Sequence, residues 1–317
     1  MKEVRNVTIV GAGTMGHSLA QVFAQGGCNV RLNDLNEDVL SNAMRLIASN
    51  LTTQVELGIL QKSEPAAILA RIRTTPRMEE AGKNADFVIE AILEDVEAKK
   101  EIFRSLDGIC PPDAILASNT SYLDIFKFVR TRRPEKILIT HWFAPPHIIP
   151  LVEIVPGPQT ALETVESVKA ILVRLGKKPM VLAKFLPGFI ANRLQSVLRK
   201  EVLFLLDNGY ATAEQIDEAT KASFGLRIPI LGLVKRMDYT GLDLTQKLIA
   251  NRSENPSETQ EKSMTIDRLV AEGRLGVKSG SGFYDYGGRS PDDIMKERDI
   301  KLFKLREFLR ELGELEL

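Results

Sequence analysis

The first half of the chain alternates short apolar runs with longer segments of helical spacing. We predict strands at the apolar runs 6–10, 30–34, 72–74, 85–91, 114–118, 137–140, 150–155 and 178–182. Between the second and third of these runs, the apolar positions of about 36–73 predict a helical hairpin that stands off the sheet. Strands separated by helices are typical of a parallel sheet that is covered by helices on both faces.

Beyond residue 187, the pattern of apolar and polar positions becomes almost entirely helical. We predict helices at 189–207, around 213–221, at 234–252, at 264–273 and at 292–312. The predicted fold class is therefore α/β, with a mostly parallel sheet domain over residues 1–186 and an all-α domain over 187–317. A chain of 317 residues is long for one hydrophobic core, which agrees with two domains.

A glycine turn follows the first apolar run. It reads Gly11-Ala12-Gly13-Thr14-Met15-Gly16, and the second apolar run ends at Asp34. Glycines at this spacing allow a tight turn, let the backbone approach a pyrophosphate, and let the helix pack close to the strand. The N-terminus of that helix offers free N–H groups to the phosphates. These features predict a Rossmann-type domain that binds a dinucleotide; the alternative is a glycine turn with no ligand.

The acid at the end of the second run bears on the choice of cofactor. Asp34 can accept both hydroxyls of the adenosine ribose, and its charge would repel a 2′-phosphate. This favours NAD over NADP. Arg31, three residues earlier, would argue for NADP, but its place inside the strand is more typical of a solvated strand residue.

Composition narrows the class of protein. Lys+Arg and Asp+Glu both total 42, so the formal net charge is zero, and nothing indicates binding to nucleic acid or to a membrane surface. The two cysteines, Cys28 and Cys110, are typical of a reduced protein rather than of a disulfide framework or a metal site. No signal peptide and no apolar run of about 18 residues is apparent. We therefore expect a cytoplasmic protein with no metal centre.

One of the three histidines is a candidate general base. His141 ends the strand 137–140, and the carboxyl ends of strands line the ligand crevice of an open α/β sheet. Imidazole suits proton transfer near neutral pH. The alternative is a capping histidine at a strand end. His17 follows the glycine turn and is less suited to catalysis, and a loop histidine such as His147 is more often solvated.

Glu153 lies twelve residues after His141, within an apolar run. Because buried acids are rare unless they are paired, an imidazole is an obvious partner. Glu153 would then fix the tautomer of His141 and stabilise its protonated form; the alternative is an acid on the outer face of a strand. Residues 118–121, Ser-Asn-Thr-Ser, also follow an apolar strand, and they suit either a ligand site or an ordinary turn.

Several motifs together carry a family resemblance. They are the glycine turn 11–16, the segment 87–91 with Glu94, the segment 117–121, the pair His141 and Glu153, and the segments 187–193, 238–243 and 276–286. In these the chain resembles the 3-hydroxyacyl-CoA dehydrogenases over nearly its whole length. The resemblance implies a Rossmann domain, a helical domain that forms a homodimer, and an NAD-dependent oxidation of a secondary alcohol.

The resemblance also implies roles for individual residues. His141 and Glu153 would form the catalytic pair, and Ser121 and Asn192 would hydrogen-bond the reacting substrate oxygen. Glu94, Lys99, Asn119 and Lys278 would lie close to NAD. In the implied reaction, His141 removes the hydroxyl proton while hydride passes from the carbinol carbon to the nicotinamide, which converts an L-3-hydroxyacyl-CoA into its 3-ketoacyl-CoA.

The chain departs from the CoA enzymes at two positions. Ala144 stands where they usually have Asn, and Arg227 stands where they commonly lack an arginine. Arg227 could hold a substrate carboxylate in a bidentate contact, or it could be a surface residue. Ala144 leaves a cofactor or active-site contact missing or replaced by water. The segments 145–153 and 225–227 are similar to relatives that act on free acids, such as gulonate dehydrogenase with its λ-crystallin relatives, carnitine dehydrogenase and a pyridine-carboxylate dehydrogenase.

Three functions therefore stay open at this point. A 3-hydroxyacyl-CoA dehydrogenase is favoured by the length of the hairpin and by the end motif 276–286. A free hydroxy acid dehydrogenase is favoured by the segment 145–153 and by Arg227. A crystallin-like protein without turnover is the third alternative, and the catalytic residues argue against it.

Overall fold

The computed structural model describes residues 4–240, 242, 244, 246–247 and 263–314. The first compact unit holds eight strands: β1 (Asn6–Val10), β2 (Asn29–Asn33), β3 (Ile72–Thr75), β4 (Phe87–Glu90), β5 (Ile115–Ser118), β6 (Ile137–Trp142), β7 (Leu151–Pro156) and β8 (Lys178–Val181). Its helices are α1 (Gly16–Gln25), α2 (Glu37–Glu56), α3 (Glu64–Leu69), α4 (Met78–Gly82), α5 (Val96–Ile109), α6 (Ile125–Phe128) and α7 (Leu162–Arg174).

The eight strands form one sheet in the order β3-β2-β1-β4-β5-β6-β7-β8. All neighbouring pairs are parallel except β6 and β7. The chain crosses from β1 by way of α1 to β2, and β4 then pairs with β1 on its other side. The order of strands therefore reverses beside the carboxyl end of β1, where α/β sheets bind their ligands.

Both faces of the sheet are buried against helices. Along β1, Ile9 belongs to the core that includes Leu19 and Phe23 of α1, whereas Val10 belongs to a second core that includes Phe103 of α5. Because successive side chains of a strand point to opposite faces, a strand buried on both sides is apolar throughout. This is why the first predicted strand is a continuous apolar run. The predicted α/β fold, with a mostly parallel sheet, is confirmed.

Polar side chains fix the starts of several helices. Asn36 accepts a hydrogen bond from the backbone N–H of Asp38 at the start of α2, at 2.8 Å, and Asp95 accepts one from Ala98 at the start of α5, also at 2.8 Å. Such caps satisfy N–H groups that have no partner inside the helix. The predicted hairpin at about 36–73 consists of α2 and α3, and β3 begins at Ile72, within the predicted range. The hairpin does not stand off the sheet as predicted, because the apolar side of α2 is buried in the same core as α1.

The second compact unit begins at Ala191. Its described helices are α8 (Ala191–Asp207), α9 (Ala213–Ala222), α10 (Phe224–Leu231), α11 (Val234–Thr240), α12 (Met264–Ala271) and α13 (Pro291–Glu311). The last of these packs on the turn Val277–Ser279 and buries Asp299 and Phe303. Much of the predicted helix 234–252, together with Gly241 and Asp243 of the motif 238–243, lies outside the described residues.

The structure corrects two predictions of helical structure. Helix α8 begins at Ala191 rather than at Phe189, because Phe189 lies in a turn with a left-handed backbone, at φ 48°. Helix α10 is absent from the predicted elements, because Gly225 and Pro229 within it conceal its helical character. Among the described residues, no helix combines the length and the apolar character that crossing a membrane requires.

Candidate active site

The glycine turn connects β1 to α1 and has the shape of a phosphate cradle. Gly11 has φ +96°, and a Cβ atom there would lie 2.7 Å from the carbonyl oxygen of Ala91; a Cβ atom on Gly16 would lie 1.7 Å from the carbonyl oxygen of Gly11. Both positions therefore require glycine. Gly13 is exposed, and a Cβ atom there would meet no atom within 4 Å. Its backbone thus faces open space, in which a pyrophosphate fits.

Asp34 lies directly beside this turn. Its Oδ2 accepts a hydrogen bond from the N–H of Ala12 at 2.9 Å, and its Oδ1 accepts one from Asn36 at 3.1 Å. The carboxylate is thereby held between the glycine turn and the start of α2. This is where the ribose of a dinucleotide lies when its pyrophosphate occupies the cradle.

His141 and Glu153 lie directly opposite each other on β6 and β7. The two strands are antiparallel, and directly opposed residues of such strands present their side chains on the same face of the sheet. The Nδ1 atom of His141 lies 2.8 Å from Oε2 of Glu153, and both side chains are buried, at 3% and 0% exposure. The spacing of twelve residues in the sequence is therefore the result of antiparallel pairing.

The contacts of the imidazole fix its tautomer. A carboxylate only accepts hydrogen bonds, so Nδ1 carries the proton that faces Glu153. This leaves Nε2 to accept a proton, and Nε2 lies 3.2 Å from the hydroxyl Oγ of Ser121. The second carboxylate oxygen of Glu153, Oε1, accepts the N–H of Ile190 at 2.9 Å. The arrangement presents a basic nitrogen beside a hydroxyl group, with a fixed negative charge behind it.

Glu94 organises the loop that carries Ser121. One of its oxygens accepts the hydroxyl of Thr120, the N–H of Ser121 at 2.9 Å and the N–H of Tyr122 at 3.0 Å. Burial acts to raise the pKa of Glu94, but the Thr120 and Tyr122 hydrogen bonds and the nearby Lys99 outweigh it and hold the pKa below its ordinary value. Glu94 therefore stays ionised at neutral pH.

Lys99 connects Glu94 to the interior of the sheet. Its Nζ lies 2.6 Å from Oε1 of Glu90 and 3.4 Å from Oε2 of Glu94, and its side chain is 1% exposed. Glu90 is also fully buried, and it accepts the hydroxyl of Ser118 at 2.6 Å. A charge this deep in a protein is tolerated only when it is paired, so Lys99, Glu90 and Glu94 form one ion-pair network.

Asn119 links the same loop to the strand that carries His141. Its side-chain oxygen accepts the N–H of Trp142 at 2.9 Å. Since this contact uses the oxygen, the NH₂ group of the amide is the part that remains for a ligand.

The remaining predicted site residues belong to the second unit. Asn192 is the second residue of α8, Arg227 is an exposed residue of α10, and Lys278 is an exposed residue of the turn Val277–Ser279. The structure thus brings together Ser121, His141 and Glu153 within the first unit. Asn192, Arg227 and Lys278 all belong to the second unit.

The other two histidines differ in their surroundings. His147 is buried, at 7% exposure, which contradicts the expectation of a solvated loop residue. Its Nδ1 lies 2.7 Å from Oγ of Ser18, and its backbone N–H donates a hydrogen bond to the same oxygen at 3.0 Å. Helix α1, which carries Ser18, therefore holds the loop around His147 in place. His17 remains at the glycine turn, with Nδ1 2.9 Å from the carbonyl oxygen of Gly13.

Sequence reasoning missed the role of the segment 186–190. The N–H of Ile190 reaches Glu153, and a backbone group leaves no mark in a sequence. It also missed Glu90, for which a signal exists: an acid that ends the apolar run 85–89 resembles the Glu153 pattern. Within the described residues, no group of three or more His, Cys, Asp or Glu side chains is placed to hold a metal ion.

Comparison with known proteins agrees with this geometry. Residues 6–185 match the NAD binding domain of 3-hydroxyacyl-CoA dehydrogenase, and residues 188–286 match the C-terminal domain of the same family. The chain belongs to the 3-hydroxyacyl-CoA dehydrogenase family. It is accordingly an NAD-dependent dehydrogenase, and the open cradle at Gly13 beside Asp34 fits that cofactor.

The chain is similar to two relatives whose names describe different substrates. It is 35% identical to a probable 3-hydroxybutyryl-CoA dehydrogenase of Bacillus subtilis over 286 residues, which are 90% of this chain and 98% of the relative. It is 30% identical to a 5-formyl-3-hydroxy-2-methylpyridine 4-carboxylate 5-dehydrogenase of Mesorhizobium japonicum over 307 residues, which are 96% of this chain and 98% of the relative.

A solved structure extends the second similarity to the fold. It is a crystal structure of a 5-formyl-3-hydroxy-2-methylpyridine 4-carboxylic acid 5-dehydrogenase, described as an NAD⁺ dependent dismutase. The TM-score is 0.87 at 29% identity, with 97% of this chain and 99% of the other covered. The two proteins therefore share their fold.

Proposed function

We propose that His141 is the general base of this dehydrogenase and removes the hydroxyl proton of a secondary alcohol. The supporting observation is the buried contact of Nδ1 with Glu153, which leaves Nε2 as the basic atom beside Ser121. Glu153 holds the ring in place through its contact with Nδ1. Ser121 and Asn192 are proposed to hydrogen-bond the reacting oxygen, which positions the alcohol against Nε2.

We propose that NAD binds at the glycine turn and at the residues around it. Gly11, Gly13, Thr14, Met15 and Gly16 would hold the pyrophosphate through backbone N–H groups, and Asp34 would accept the adenosine ribose hydroxyls. Asn119, Glu94, Lys99 and Lys278 complete the proposed cofactor set; the buried Nζ of Lys99 would act by fixing Glu94. When bound, NAD supplies the acceptor for the hydride of the alcohol carbon.

For the substrate, we propose an L-3-hydroxyacyl-CoA, which is converted into its 3-ketoacyl-CoA. The match of both family domains over most of the chain supports this proposal. The reaction would belong to fatty acid metabolism.

A free hydroxy carboxylic acid is the second candidate substrate. The Mesorhizobium relative, whose name describes a pyridine carboxylate, matches 96% of this chain, against 90% for the Bacillus relative. The hairpin 36–73 carries four basic and four acidic residues, so it offers no excess of positive charge for the phosphates of CoA. In this case Arg227 would bind the substrate carboxylate.

A substrate panel tests the two candidates. NAD reduction is followed with 3-hydroxybutyryl-CoA, 3-hydroxybutyrate, carnitine, gulonate and a 5-hydroxymethyl pyridine carboxylate at equal concentrations. A kcat/KM for 3-hydroxybutyryl-CoA that exceeds every free acid supports the first proposal. Turnover of a free acid alone overturns it, and loss of that turnover in Arg227→Met then supports the second.

We further propose that the enzyme is a cytoplasmic homodimer. The second unit exposes large apolar side chains that a partner subunit would cover, namely Leu194, Val197 and Leu198 of α8, and Leu226 and Ile230 of α10. Both cysteines are buried and neither forms a disulfide, as is usual in reducing compartments. Sedimentation at micromolar concentration tests the assembly.

A further inference from the structure

Phe189 has an unusual backbone. Among the residues that the structure describes, it is the one non-glycine residue with a positive φ, at 48°, and it is fully buried. A bulky side chain in this left-handed region is strained. Strain of this kind persists only where the surroundings enforce it, and it concentrates at functional sites.

The side chain of Phe189 contacts the proposed base. Its ring centroid lies 5.1 Å from that of His141, and the two planes are tilted by 52°. Phe143 contacts the same imidazole at 4.6 Å, and Phe185 supports Phe189 at 5.8 Å. Aromatic rings at such distances attract one another and exclude water from the surface that they cover.

The backbone on each side of Phe189 contacts the other two members of the site. The N–H of Gly188 donates to the carbonyl oxygen of Ser121 at 3.2 Å. The N–H of Ile190 donates to Oε1 of Glu153 at 2.9 Å. Three consecutive residues therefore contact Ser121, His141 and Glu153, one each.

We propose that Phe189 is a positioning residue for the reaction, and that its left-handed backbone is required for this role. The inference rests on the proposed function of His141 as base. At residue 189, one conformation sets the direction of the ring toward His141 and the direction of the next N–H toward Glu153. A right-handed residue would turn both directions away together, and glycine would keep the backbone but lose the ring.

The contact between the N–H of Ile190 and the carboxylate of Glu153 connects the backbone at residue 189 to the proposed base. Glu153 is fully buried, so each of its oxygens needs a donor. The N–H of Ile190 occupies Oε1, which leaves Oε2 to His141. Loss of that N–H would weaken the hold on the carboxylate and, through Oε2, on the direction of the imidazole, whereas loss of the Phe189 ring would remove part of the aromatic cover.

Two substitutions at this position both remove the ring and differ in the strain of the backbone. Phe189→Gly removes the ring and relieves the strain, whereas Phe189→Ala removes the ring and keeps the strain. We expect kcat to fall by roughly 10- to 100-fold in both, because small displacements of a catalytic group have effects of that size. The Kd of NADH, measured by fluorescence, should change less than about threefold. Phe189→Gly should have a Tm a few degrees above that of Phe189→Ala.

Phe103→Ala is the matched structural control. Phe103 is equally buried in the same core but lies on α5. It should lower the Tm as much as Phe189→Ala, with kcat of the folded enzyme near the wild-type value. In proton NMR, the shared proton between His141 and Glu153 should give a downfield signal that Phe103→Ala keeps and that both Phe189 variants lose. Where Phe189→Ala fails to fold, Phe189→Leu replaces it.

The outcomes separate this inference from the proposed function. Wild-type kcat in Phe189→Gly, while His141→Gln is inactive, overturns the role of Phe189 alone. Turnover in His141→Gln overturns the proposed base itself. A Tm of Phe189→Gly below that of Phe189→Ala contradicts the requirement for a left-handed backbone.

Discussion

At the residue scale, the imidazole of His141 is held from several sides at once. Glu153 contacts Nδ1, Ser121 contacts Nε2, and the rings of Phe143 and Phe189 cover it. The proposed base, held this firmly, needs no rearrangement before it takes a proton, and such preorganisation is a main source of enzymatic rate. The residue's contribution should therefore be visible in kcat rather than in binding.

His141→Gln is expected to reduce kcat by about 10²- to 10⁴-fold, the usual contribution of a general base. Glutamine fills a similar space but cannot take up the proton. The Kd of NADH should stay nearly the same, because the cradle at Gly13 is a separate part of the first unit. His147→Gln is the comparison, since that histidine contacts Ser18 instead. Turnover near the wild-type value in His141→Gln would contradict the assignment.

Asp34 should determine the choice between NAD and NADP. Asp34→Ser removes the charge that repels a 2′-phosphate and weakens the contact with the ribose hydroxyls. We expect kcat/KM for NAD to fall by roughly 10- to 100-fold, the size of a lost charged hydrogen bond, and the preference over NADP to shrink. Steady-state rates with both cofactors measure it. A wild-type enzyme that uses the two cofactors equally would contradict the assignment.

At the element scale, the pairing of β6 with β7 is the feature that sequence reasoning did not predict. The apolar runs predict the strands to within a few residues, since a strand buried on both faces is apolar along its length. Their direction is not encoded in those runs. The twelve residues between His141 and Glu153 indicate a pair, but only the antiparallel register explains the spacing.

The start of α8 is a second feature that the apolar pattern alone does not predict. Phe189 and Ile190 continue the apolar periodicity of the helix, so the sequence predicts helix from residue 189. The structure instead uses both residues to contact the site, and tertiary contacts override the local preference. The glycine turn, by contrast, was predictable, because steric exclusion at Gly11 and Gly16 leaves no other residue possible.

The loop after β5 should depend on the charge of Glu94. Because the folded-state pKa lies below the ordinary value of 4.5, ionised Glu94 stabilises the fold above that pH. This stabilisation is lost as the pH falls through the lowered pKa. Glu94→Gln should therefore lower the Tm by a few degrees at pH 7, and the difference from wild type should shrink below pH 4.5. Thermal unfolding across that range measures it; a difference that grows at low pH would contradict the assignment.

At the scale of the whole molecule, two independent probes both report on the first unit. The single tryptophan, Trp142, and both cysteines belong to the sheet domain. Burial raises the pKa of the Cys110 thiol to about 11, so it stays in the unreactive neutral form, and Cys28 is 1% exposed. Neither thiol should react with a thiol reagent while the unit is folded.

The buried thiols and Trp142 allow a test of cofactor binding that needs no substrate. A ligand that binds only the folded unit at 100 times its Kd reduces the unfolded population by about 100-fold. If the thiols react through unfolding of the first unit, NADH at that concentration should slow their labelling by about the same factor, and tryptophan fluorescence should report an equal gain in stability. The second unit contributes no signal to either probe. Fast labelling at a rate that NADH does not change would show that local opening exposes the cysteines to the reagent. In that case cofactor binding would not stabilise the sheet domain as one cooperative unit.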